Sequence, residues 1–370
     1  MRIGIITLPF YTNYGGILQA YALGRTLEEL GHEAIFLQPE EIVPVPRGIK
    51  AICKYLRRHL LNVIHRKNGE IRIEKRICDE LPTVGKKCAR FISENMKVER
   101  YRSTKDIDVA AYDAFITGSD QIWRPSYSHR LKDAFLGFTK DNKVRRIAYA
   151  ASFGVDCQEY SAKQKSMCRK LLAGFDAISV REQSGVTLCK EMFGIDACQM
   201  PDPTLLLDAD VYSSLSDKSP HPPVFAYILD KNDDVITLVE QVFRNNYPSP
   251  AILFNSVDPR GLGPVSDRIQ PSIEEWLGAI GKAEWVITDS FHACVFSILL
   301  HKNFLVVTNG RRGQSRICSL LSEFGLQKQL HTSGSAPELH MIDAATWQRA
   351  DERIAELRKK GIDFLKEALR

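Results

Sequence analysis

The sequence predicts an α/β protein built from two Rossmann-like domains, with a long helix at its C-terminal end. Short apolar runs alternate with amphipathic helical patterns in both halves of the 370-residue chain. A stretch rich in Ser, Asp and Pro over residues 208–223 separates the halves and is typical of a hinge. Because connections between parallel strands are right-handed, each half should form its own parallel sheet. We therefore expect domains at 1–207 and 224–343 that face each other across a cleft, and a helix within 344–370.

The first forty residues have the strand–turn–helix–strand pattern with which an open α/β sheet begins. Residues 2–8 are predicted to form a strand, 12–16 a turn with two adjacent glycines, 17–30 an amphipathic helix and 33–38 the next strand. The turn lacks G-x-G-x-x-G spacing, so it does not favour a nicotinamide cofactor. Its glycines fit either close approach of a ligand to the backbone or a tight loop without a ligand.

Residues 40–105 interrupt this pattern and are predicted to form a helical insertion with basic surfaces. The segment 47–76 contains ten Lys or Arg residues and two acidic residues, and apolar residues recur there at near-helical spacing. A basic amphipathic helix can lie on an anionic membrane surface or hold a polyanion. The alternative is a solvated helix packed on the domain. Nucleic acid is not an expected partner, because no recognition motif or interleaved aromatic residues accompany the charge.

Three further strands of the first domain are predicted to end in small, polar or charged residues. Because the carboxyl ends of parallel strands meet at one edge of a sheet, these residues should line a site. These strands are predicted at 112–117, 146–151 and 175–180, with a helix at 161–172 and another that follows Arg181-Glu182-Gln183-Ser184-Gly185 and runs through Met192. The second domain is predicted to contain strands at 224–229, 251–254, 285–288 and 304–308, and helices at 233–245, 272–281, 290–301 and 315–324, before the final helix at 344–369.

The composition excludes several classes of protein. The formal charge is +5, and nine cysteines lie scattered without a C-x-x-C pair, which fits reduced thiols rather than a disulfide framework or a zinc site. Asp208-Ala209-Asp210 resembles a metal-binding D-x-D sequence, but its surroundings supply no further ligands, so no metal is expected. The first residues are apolar too briefly for a signal peptide. The expected compartment is the cytoplasm, at the inner membrane surface if the basic segment binds lipid.

The corner Thr288-Asp289-Ser290-Phe291-His292 is the most informative segment, because it joins a predicted strand to a predicted helix. The first N–H groups of a helix are unpaired and lie at the positive end of its dipole, so an anion can bind there. The same field helps keep a histidine neutral and able to accept a proton. The corner therefore suits chemistry on a phosphorylated substrate. The alternative is a buried His292 that donates to a nearby carbonyl group.

Five motifs occur in order between residues 1 and 326. They are Asn13-Tyr14-Gly15-Gly16-Ile17-Leu18-Gln19-Ala20-Tyr21-Ala22-Leu23, Gly118-Ser119-Asp120-Gln121-Ile122-Trp123, Val180-Arg181-Glu182, Asp202-Pro203-Thr204, and the His292 corner followed by Arg316-Ile317 and Leu320-Leu321. The ordered set resembles the polysaccharide pyruvyl transferase family. The resemblance implies a fold like that of the two-domain GT-B glycosyltransferases, with the site in the cleft.

The same resemblance implies transfer of pyruvate from phosphoenolpyruvate to two hydroxyl groups of a sugar, which gives a cyclic ketal. The implied acceptor is a surface polysaccharide or its lipid-linked precursor, and no cofactor is expected beside phosphoenolpyruvate as co-substrate. His292 matches the position of the family's catalytic histidine, and Arg181 matches an arginine of the donor site. Arginine binds carboxylate and phosphate groups bidentately, and histidine can carry the protons that enol-ether addition moves.

The sequence departs from the family pattern at one position of the corner. Ketal-forming members resemble Arg-Leu-His where this chain has Ser290-Phe291-His292. The absent arginine would face the donor phosphate, whereas Ser290 offers a hydroxyl group but no charge. Arg312 and Arg316, one turn apart on a helix, are the expected replacements, and Arg311 is a weaker candidate. The alternative role of Arg316 is that of a structural helix arginine.

Residues of the two first-domain motifs are expected to bind the acceptor or shape the cleft. They include hydrogen-bonding and stacking groups of the kinds that sugar recognition uses. The expected residues are Asn13, Tyr14, Gly15, Gly16, Asp120, Gln121 and Trp123. The alternatives are a core position for Trp123 and a turn-capping role for Asp120.

Two other functions fit the same residues. A GT-B glycosyltransferase could hold the diphosphate of a nucleotide sugar against the same cleft and helix end. A non-catalytic relative could bind a carbohydrate or an anion without turnover, and the absent arginine is the main support for it.

Overall fold

The protein, in a computed structural model, has two parallel β-sheets with helices on both faces. The structure describes all residues except 44, 47, 65–68, 129, 141–142, 231–236, 238–239, 241–251, 255–260, 262, 308–313 and 332–337. The expected α/β architecture with two Rossmann-like domains, each built on a parallel sheet, is confirmed.

The first sheet has seven parallel strands in the order β3-β2-β1-β4-β5-β6-β7. Its central strands are buried almost throughout, because helices cover both faces of a parallel sheet. The strands are β1 (Arg2–Ile6), β2 (Glu33–Pro39), β3 (Val98–Tyr101), β4 (Ala114–Thr117), β5 (Arg145–Ala151), β6 (Ala177–Val180) and β7 (Cys198–Gln199).

The first domain carries seven described helices. Three of them form the inserted region, and four belong to the sheet layers. They are α1 (Tyr14–Glu29), α2 (Gly48–Ile64), α3 (Ile73–Val84), α4 (Lys86–Asn95), α5 (Leu131–Ala134), α6 (Ala162–Leu172) and α7 (Gln183–Leu188), which continues as a π-helical turn over Cys189–Phe193.

The second sheet has five parallel strands in the order β12-β11-β10-β8-β9. Its strands are β8 (Val224–Tyr227), β9 (Ile252–Phe254), β10 (Trp285–Thr288), β11 (Asn303–Val307) and β12 (Leu330–His331). The described helices of this half are α8 (Ala209–Leu215), α9 (Ile273–Lys282), α10 (Phe291–Leu299), α11 (Gln314–Glu323) and the long α12 (Ala344–Ala368).

Helix α12 returns to the first domain and packs beside β5. A Cβ atom added at Gly361 would come 2.5 Å from the hydroxyl oxygen of Tyr149 and 2.6 Å from Cδ2 of Leu206, so only glycine allows this approach. Arg358 Nη2 donates to the carbonyl oxygen of Leu207 at 2.8 Å. The last helix therefore joins the second domain back to the first.

The inserted helices α3 and α4 join the domains on the other side. Arg268 Nη1 contacts Glu80 Oε2 at 2.8 Å, and Lys87 Nζ contacts Glu275 Oε2 at the same distance. The side chain of Arg268 is only 6% exposed, so the first of these pairs is largely protected from solvent screening. Helix α2 lies outside this contact and packs against α3.

The segment 40–105, predicted as a helical insertion, contains three helices and also a strand that was not predicted. Residues 98–101 form β3, which pairs with β2 at the edge of the first sheet. Its alternation of polar and apolar residues is short, and only Tyr101 is buried, so no apolar run marks the strand. Segment 208–223, predicted as a hinge, contains α8 and contacts α9, where Asp217 N donates to the carbonyl oxygen of Glu274 at 2.9 Å. The predicted helix 233–245 lies largely outside the described residues.

Candidate functional site

The switch points of the two sheets bring loops that carry the sequence motifs to one place in the fold. In the first sheet, strand order reverses between β1 and β4, and in the second it reverses between β8 and β10. Ligands of open α/β sheets bind beyond the strand ends at such points. The loops after β1 and β4 carry Asn13 and Asp120, and the corner after β10 carries Ser290 and His292.

At the first switch point, a contact between two predicted site residues joins the loops that follow β1 and β4. Asn13 caps α1 by accepting a hydrogen bond from Gly16 N at 3.2 Å, and its Nδ2 donates to Asp120 Oδ2 at 3.4 Å. Asp120 is 4% exposed and has a positive φ of 49°, in the left-handed region that Asp tolerates better than most residues. The two loops therefore present one polar edge beneath the second domain.

Gly15, in the first turn of α1, is one point at which the domains meet. A Cβ atom at this position would come 2.2 Å from both Cγ and Nδ1 of His292. The glycine is therefore required for the imidazole ring to lie against the helix backbone. His292 consequently lies between the two domains, at the adjoining N-termini of α1 and α10.

The corner after β10 is shaped by local hydrogen bonds. Thr288 Oγ1 donates to the carbonyl oxygen of Tyr227 at 2.6 Å and accepts from Ser290 N at 3.0 Å. Ser290 caps α10, and its hydroxyl oxygen accepts from Ala293 N at 3.5 Å. The hydroxyl group of Ser290 is thus directed to the helix end that begins with Phe291 and His292.

Asp202 links the histidine to Arg181. Its Oδ2 atom lies 2.7 Å from Arg181 Nη1 and 3.4 Å from His292 Nε2, and its Oδ1 accepts from the Thr204 hydroxyl at 2.7 Å. Burial alone raises the pKa of Asp202, but His292 and Arg181 outweigh that effect and hold the pKa well below its usual value. The carboxylate is therefore charged, and it faces both functional side chains.

Arg181 is buried, with a side chain only 3% exposed. Its Nε donates to Glu182 Oε1 at 2.8 Å, and its guanidinium carbon lies 4.4 Å from the centre of the Phe291 ring. Burial by itself lowers the pKa of Arg181, and the carboxylates of Glu182 and Asp202 raise it above the usual value. Its Nη2 is buried and has no hydrogen-bond partner among the described residues. One donor of the guanidinium group is thus left for a ligand.

Arg316, on α11, approaches the same phenyl ring. Its guanidinium carbon lies 5.9 Å from the centre of the Phe291 ring, and its Nε is buried without a hydrogen-bond partner in the described part of the chain. Burial, and then the nearby charge of Arg181, lower the pKa of Arg316. Two guanidinium groups therefore lie near one ring, each with an unused buried N–H group. Such an arrangement fits a ligand with more than one negative charge.

A cavity that is open to solvent lies beside these side chains. Some basic side chains in the wall of this cavity form ion pairs and others do not. Arg181 pairs with Glu182 and Asp202, and Arg353 with Glu323, whereas Arg316 and Lys360 have no ion pair among the described residues. The described wall comes from the β6–β7 region and from α10, α11 and α12. Its residues include Arg181, Glu182, Asp202, Phe291, Arg316, Leu320, Glu323, Arg353, Leu357 and Lys360.

The structure brings together His292, Arg181, Phe291 and Arg316, which the sequence predicted as site residues. Arg312, like Arg311, lies outside the described residues. Gln121 is partly buried, and its Oε1 accepts from Arg124 Nη1 at 3.1 Å.

Two aromatic residues expected at the cleft are core residues. Trp123 is 0% exposed and stacks on Phe135, with ring centres 4.7 Å apart, because an aromatic cluster surrounds it. Tyr14 is buried between the domains, where it stacks on Trp276 and its hydroxyl group donates to the carbonyl oxygen of Pro271 at 2.9 Å. Neither ring presents a free face for stacking on a sugar, which corrects that expectation for Trp123.

Asp202 and Glu182 were not assigned roles from the sequence, although both belong to motifs that it singled out. Their presence in the motifs Asp202-Pro203-Thr204 and Val180-Arg181-Glu182 was the signal that could have identified them. The contribution of α12 to the cavity wall, through Arg353 and Lys360, was also missed. An acidic residue in an isolated motif does not show which distant cation it will contact.

A comparison with protein families agrees with the resemblance that the motifs carry. The family model described as polysaccharide pyruvyl transferase matches residues 13–311. A comparison with curated proteins returned no match.

The solved structures to which the chain is similar have low sequence identity to it. The S. aureus MnaA–UDP co-structure is 11% identical, with 98% of this chain and 91% of that chain covered and a TM-score of 0.48. The Neisseria meningitidis UDP-GlcNAc 2-epimerase bound to UDP-GlcNAc is 9% identical, with 100% and 94% covered and a TM-score of 0.46. MurG from Acinetobacter baumannii is 9% identical, with 97% and 94% covered and a TM-score of 0.43.

Proposed function

Because the chain belongs to the polysaccharide pyruvyl transferase family, we propose that it transfers the pyruvyl group of phosphoenolpyruvate to two hydroxyl groups of a sugar, forming a cyclic ketal. The proposed acceptor is a surface polysaccharide or its lipid-linked precursor. The proposed donor site is the cavity beside Phe291, and the proposed acceptor edge is the polar surface that Asn13 and Asp120 share.

The observation that carries this proposal is the pair of guanidinium groups around Phe291. Arg181 Nη2 and Arg316 Nε are both buried, and neither has a hydrogen-bond partner among the described residues. Leaving buried charged donors unpaired costs free energy, so a ligand that pairs with both is favoured. Phosphoenolpyruvate carries a carboxylate and a phosphate, which are two anionic groups on one small molecule. Arginine recognises both groups by charge-assisted hydrogen bonds.

Arg316 can also replace the positive charge that is absent at Ser290, where the sequence departs from the family pattern. The serine hydroxyl caps α10 and brings no charge. The guanidinium group of Arg316, which reaches Phe291 from α11, supplies positive charge next to that corner. Phosphate departure needs positive charge aimed at the oxygen atoms on which negative charge grows. We assign this role to Arg316, with the amide groups at the start of α10 as a second source.

The proposed reaction begins with proton transfer to the methylene carbon of phosphoenolpyruvate, which leaves the adjacent carbon electron-poor. One sugar hydroxyl group bonds to that carbon, and its proton returns to the group that donated the first proton. The carbon–oxygen bond to phosphate then breaks, and the phosphate leaves with its electron pair. The second hydroxyl group bonds to the same carbon, and its proton goes to the phosphate. The products are the ketal and inorganic phosphate, so atoms and charges balance without a redox step.

We assign the movement of the first proton to His292. The carboxylate of Asp202, 3.4 Å from Nε2, stabilises positive charge on the ring and helps fix its orientation. Gly15 on the opposite side leaves room for the ring between the domains. A histidine positioned for proton transfer contributes roughly 100-fold to 10,000-fold in rate.

The test is incubation of the purified protein with phosphoenolpyruvate and a panel of oligosaccharides, including lipid-linked ones. Release of inorganic phosphate together with a glycan that gains one pyruvyl ketal by mass spectrometry is the expected result. His292→Asn should fold with a similar melting temperature and release phosphate at least about 100-fold more slowly.

Two results together would overturn the proposal. Phosphoenolpyruvate would release no phosphate with any glycan, and a nucleoside diphosphate, but not phosphoenolpyruvate, would raise the melting temperature of the protein. Because a ligand that binds only the native state raises that temperature, such a result would favour a nucleotide-sugar donor. Stabilisation by phosphoenolpyruvate without turnover on any glycan would favour the non-catalytic, anion-binding alternative.

A further inference from the structure

Helix α2 presents an apolar face that the described part of the protein leaves uncovered. Eleven large apolar side chains are exposed in the described residues, and seven of them belong to this one helix. Six of the seven are 57–79% exposed and fall within an arc of about 120° when placed at helical spacing. These six are Ile49, Ile52, Leu56, Leu60, Val63 and Ile64. An apolar stripe of this length on a helix indicates a binding surface.

The opposite side of α2 is fixed to the protein by charge. Arg58 Nη2 and Lys54 Nζ both lie 2.8 Å from Glu74 Oε1, on α3. Arg58 Nη1 also donates to the other oxygen of Glu74, at 3.0 Å. The polar contacts therefore lie toward the domain and the apolar stripe faces outward. The ion pairs with Glu74 therefore fix which side of α2 faces the domain.

The positive charge of α2 and of segment 47–76 indicates what kind of partner binds the apolar face. Helix α2 contains four basic residues and no acidic residue, and segment 47–76 contains ten basic and two acidic residues. Two copies of α2 placed face to face would bring together two segments that each have an excess of positive charge, which opposes self-association. An anionic lipid bilayer satisfies both properties, because its acyl region accepts the apolar stripe and its headgroups attract Lys and Arg.

We infer that α2 is a helix that lies in the surface of an anionic lipid bilayer. No described helix is both long and apolar enough to cross a membrane, so the inferred association is peripheral. Helices α3 and α4, which join the domains through Glu80 and Lys87, connect this surface to the cleft. The inference goes beyond the proposed reaction and does not depend on it, because a protein without turnover would still bind vesicles.

The experiment is co-sedimentation of the full-length protein with phosphatidylcholine vesicles, with and without phosphatidylglycerol. We expect binding to the anionic vesicles that is at least about tenfold stronger than to neutral ones and that weakens as salt is added. The double variant Leu56→Asp/Leu60→Asp should lose at least about tenfold of this binding, because charge replaces two exposed apolar side chains. Met341→Asp, which changes a 72% exposed apolar side chain elsewhere, is the matched control and should bind as the unmodified protein does.

Three results would overturn the inference. They are absence of binding to anionic vesicles, equal binding by the double variant, and a dimer of the unmodified protein that the double variant converts to a monomer. The last result would show that a second copy covers the face. Melting temperatures of the variants should match that of the unmodified protein, since the changed side chains are exposed. The variant Arg57→Gln separates the contribution of charge from that of apolar contact. It should weaken binding to anionic vesicles and leave any residual binding to neutral vesicles unchanged.

Discussion

His292 Nε2 and Arg181 Nη1 share one acceptor atom, Oδ2 of Asp202, at 3.4 Å and 2.7 Å respectively. The imidazole ring comes from the second domain, whereas Arg181 and Asp202 follow β6 and β7 of the first sheet. A single carboxylate thus couples the proposed proton carrier to the proposed donor-binding cation. Its charge is maintained because both neighbours hold its pKa below the usual value despite complete burial.

Replacing Asp202 by Asn should lower kcat by roughly 100-fold, because the ring then lacks the carboxylate that stabilises its protonated form. The pH dependence of kcat should change as well, which a purely structural role would not predict. Phosphate release over a range of pH measures both effects. Thr204→Val is the matched control, since it removes a 2.7 Å hydrogen bond to the other carboxylate oxygen. It should cost about 1 kcal/mol of stability and leave the pH profile unchanged.

Gly15→Ala should reduce turnover while leaving the protein folded. The added Cβ atom would come 2.2 Å from the ring of His292, so the ring must move. Alanine suits a helix better than glycine by about 0.5–1 kcal/mol, which offsets part of the strain. We expect kcat to fall at least about tenfold. Gly281→Ala, whose Cβ atom would meet nothing closer than 4.0 Å, should leave phosphate release unchanged. Equal activity of the two variants would contradict the assigned position of the ring.

The attachment of α2 should depend on pH through Glu74. Its hydrogen bonds from Arg58 hold the pKa of Glu74 at about 2, below the value of 4.5 expected without partners. Because the pKa is lowered in the folded state, this carboxylate stabilises the fold fully above pH 4.5 and loses that effect as pH falls toward 2. At neutral pH, Glu74→Gln should cost roughly 1 kcal/mol in urea unfolding. The difference between the two proteins should shrink as the medium is acidified; a constant difference would contradict this prediction.

The sequence predicted much of the local structure because local signals determine it. The helix of the His292 corner was expected at 290–301 and is found at Phe291–Leu299, since Ser290 is a strong N-cap and an apolar run follows it. The final helix was expected at 344–369 and is found at Ala344–Ala368. Asn13 likewise caps α1 at the predicted glycine-rich turn. Caps and hydrophobic periodicity are properties of neighbouring residues, so one sequence is enough to locate them.

The rest depended on contacts between distant segments. Asp202 and His292 are 90 positions apart, and only the closure of the second domain onto the first brings them together. The return of α12 to the first domain depends on the small size of Gly361, which a sequence does not distinguish from any other helical glycine. Trp123 was a candidate for the cleft because aromatic rings stack on sugars, with a core position as the alternative, and the aromatic cluster that buries it comes from other segments.

Arg316 and Arg181 should respond in opposite ways to replacement by Met. Arg181 is paired with Glu182 and Asp202, so Arg181→Met leaves two buried carboxylates without their cation and should cost roughly 3–5 kcal/mol of stability. Arg316 has no ion pair among the described residues, and burial lowers its pKa, so its charged form is poorly stabilised in the unliganded protein. Arg316→Met should therefore keep or raise the melting temperature.

The same replacement should weaken donor binding, because a charge-assisted hydrogen bond contributes about 1.5–3 kcal/mol, or roughly tenfold to 100-fold in affinity. The shift of melting temperature with added phosphoenolpyruvate measures this loss directly, without need of an acceptor. Arg316→Lys keeps the charge but not the planar geometry, so it should recover part of the binding. If Arg316→Met instead destabilised the protein and bound phosphoenolpyruvate normally, Arg316 would be a structural helix residue, and the positive charge that replaces the absent arginine would have to come from elsewhere.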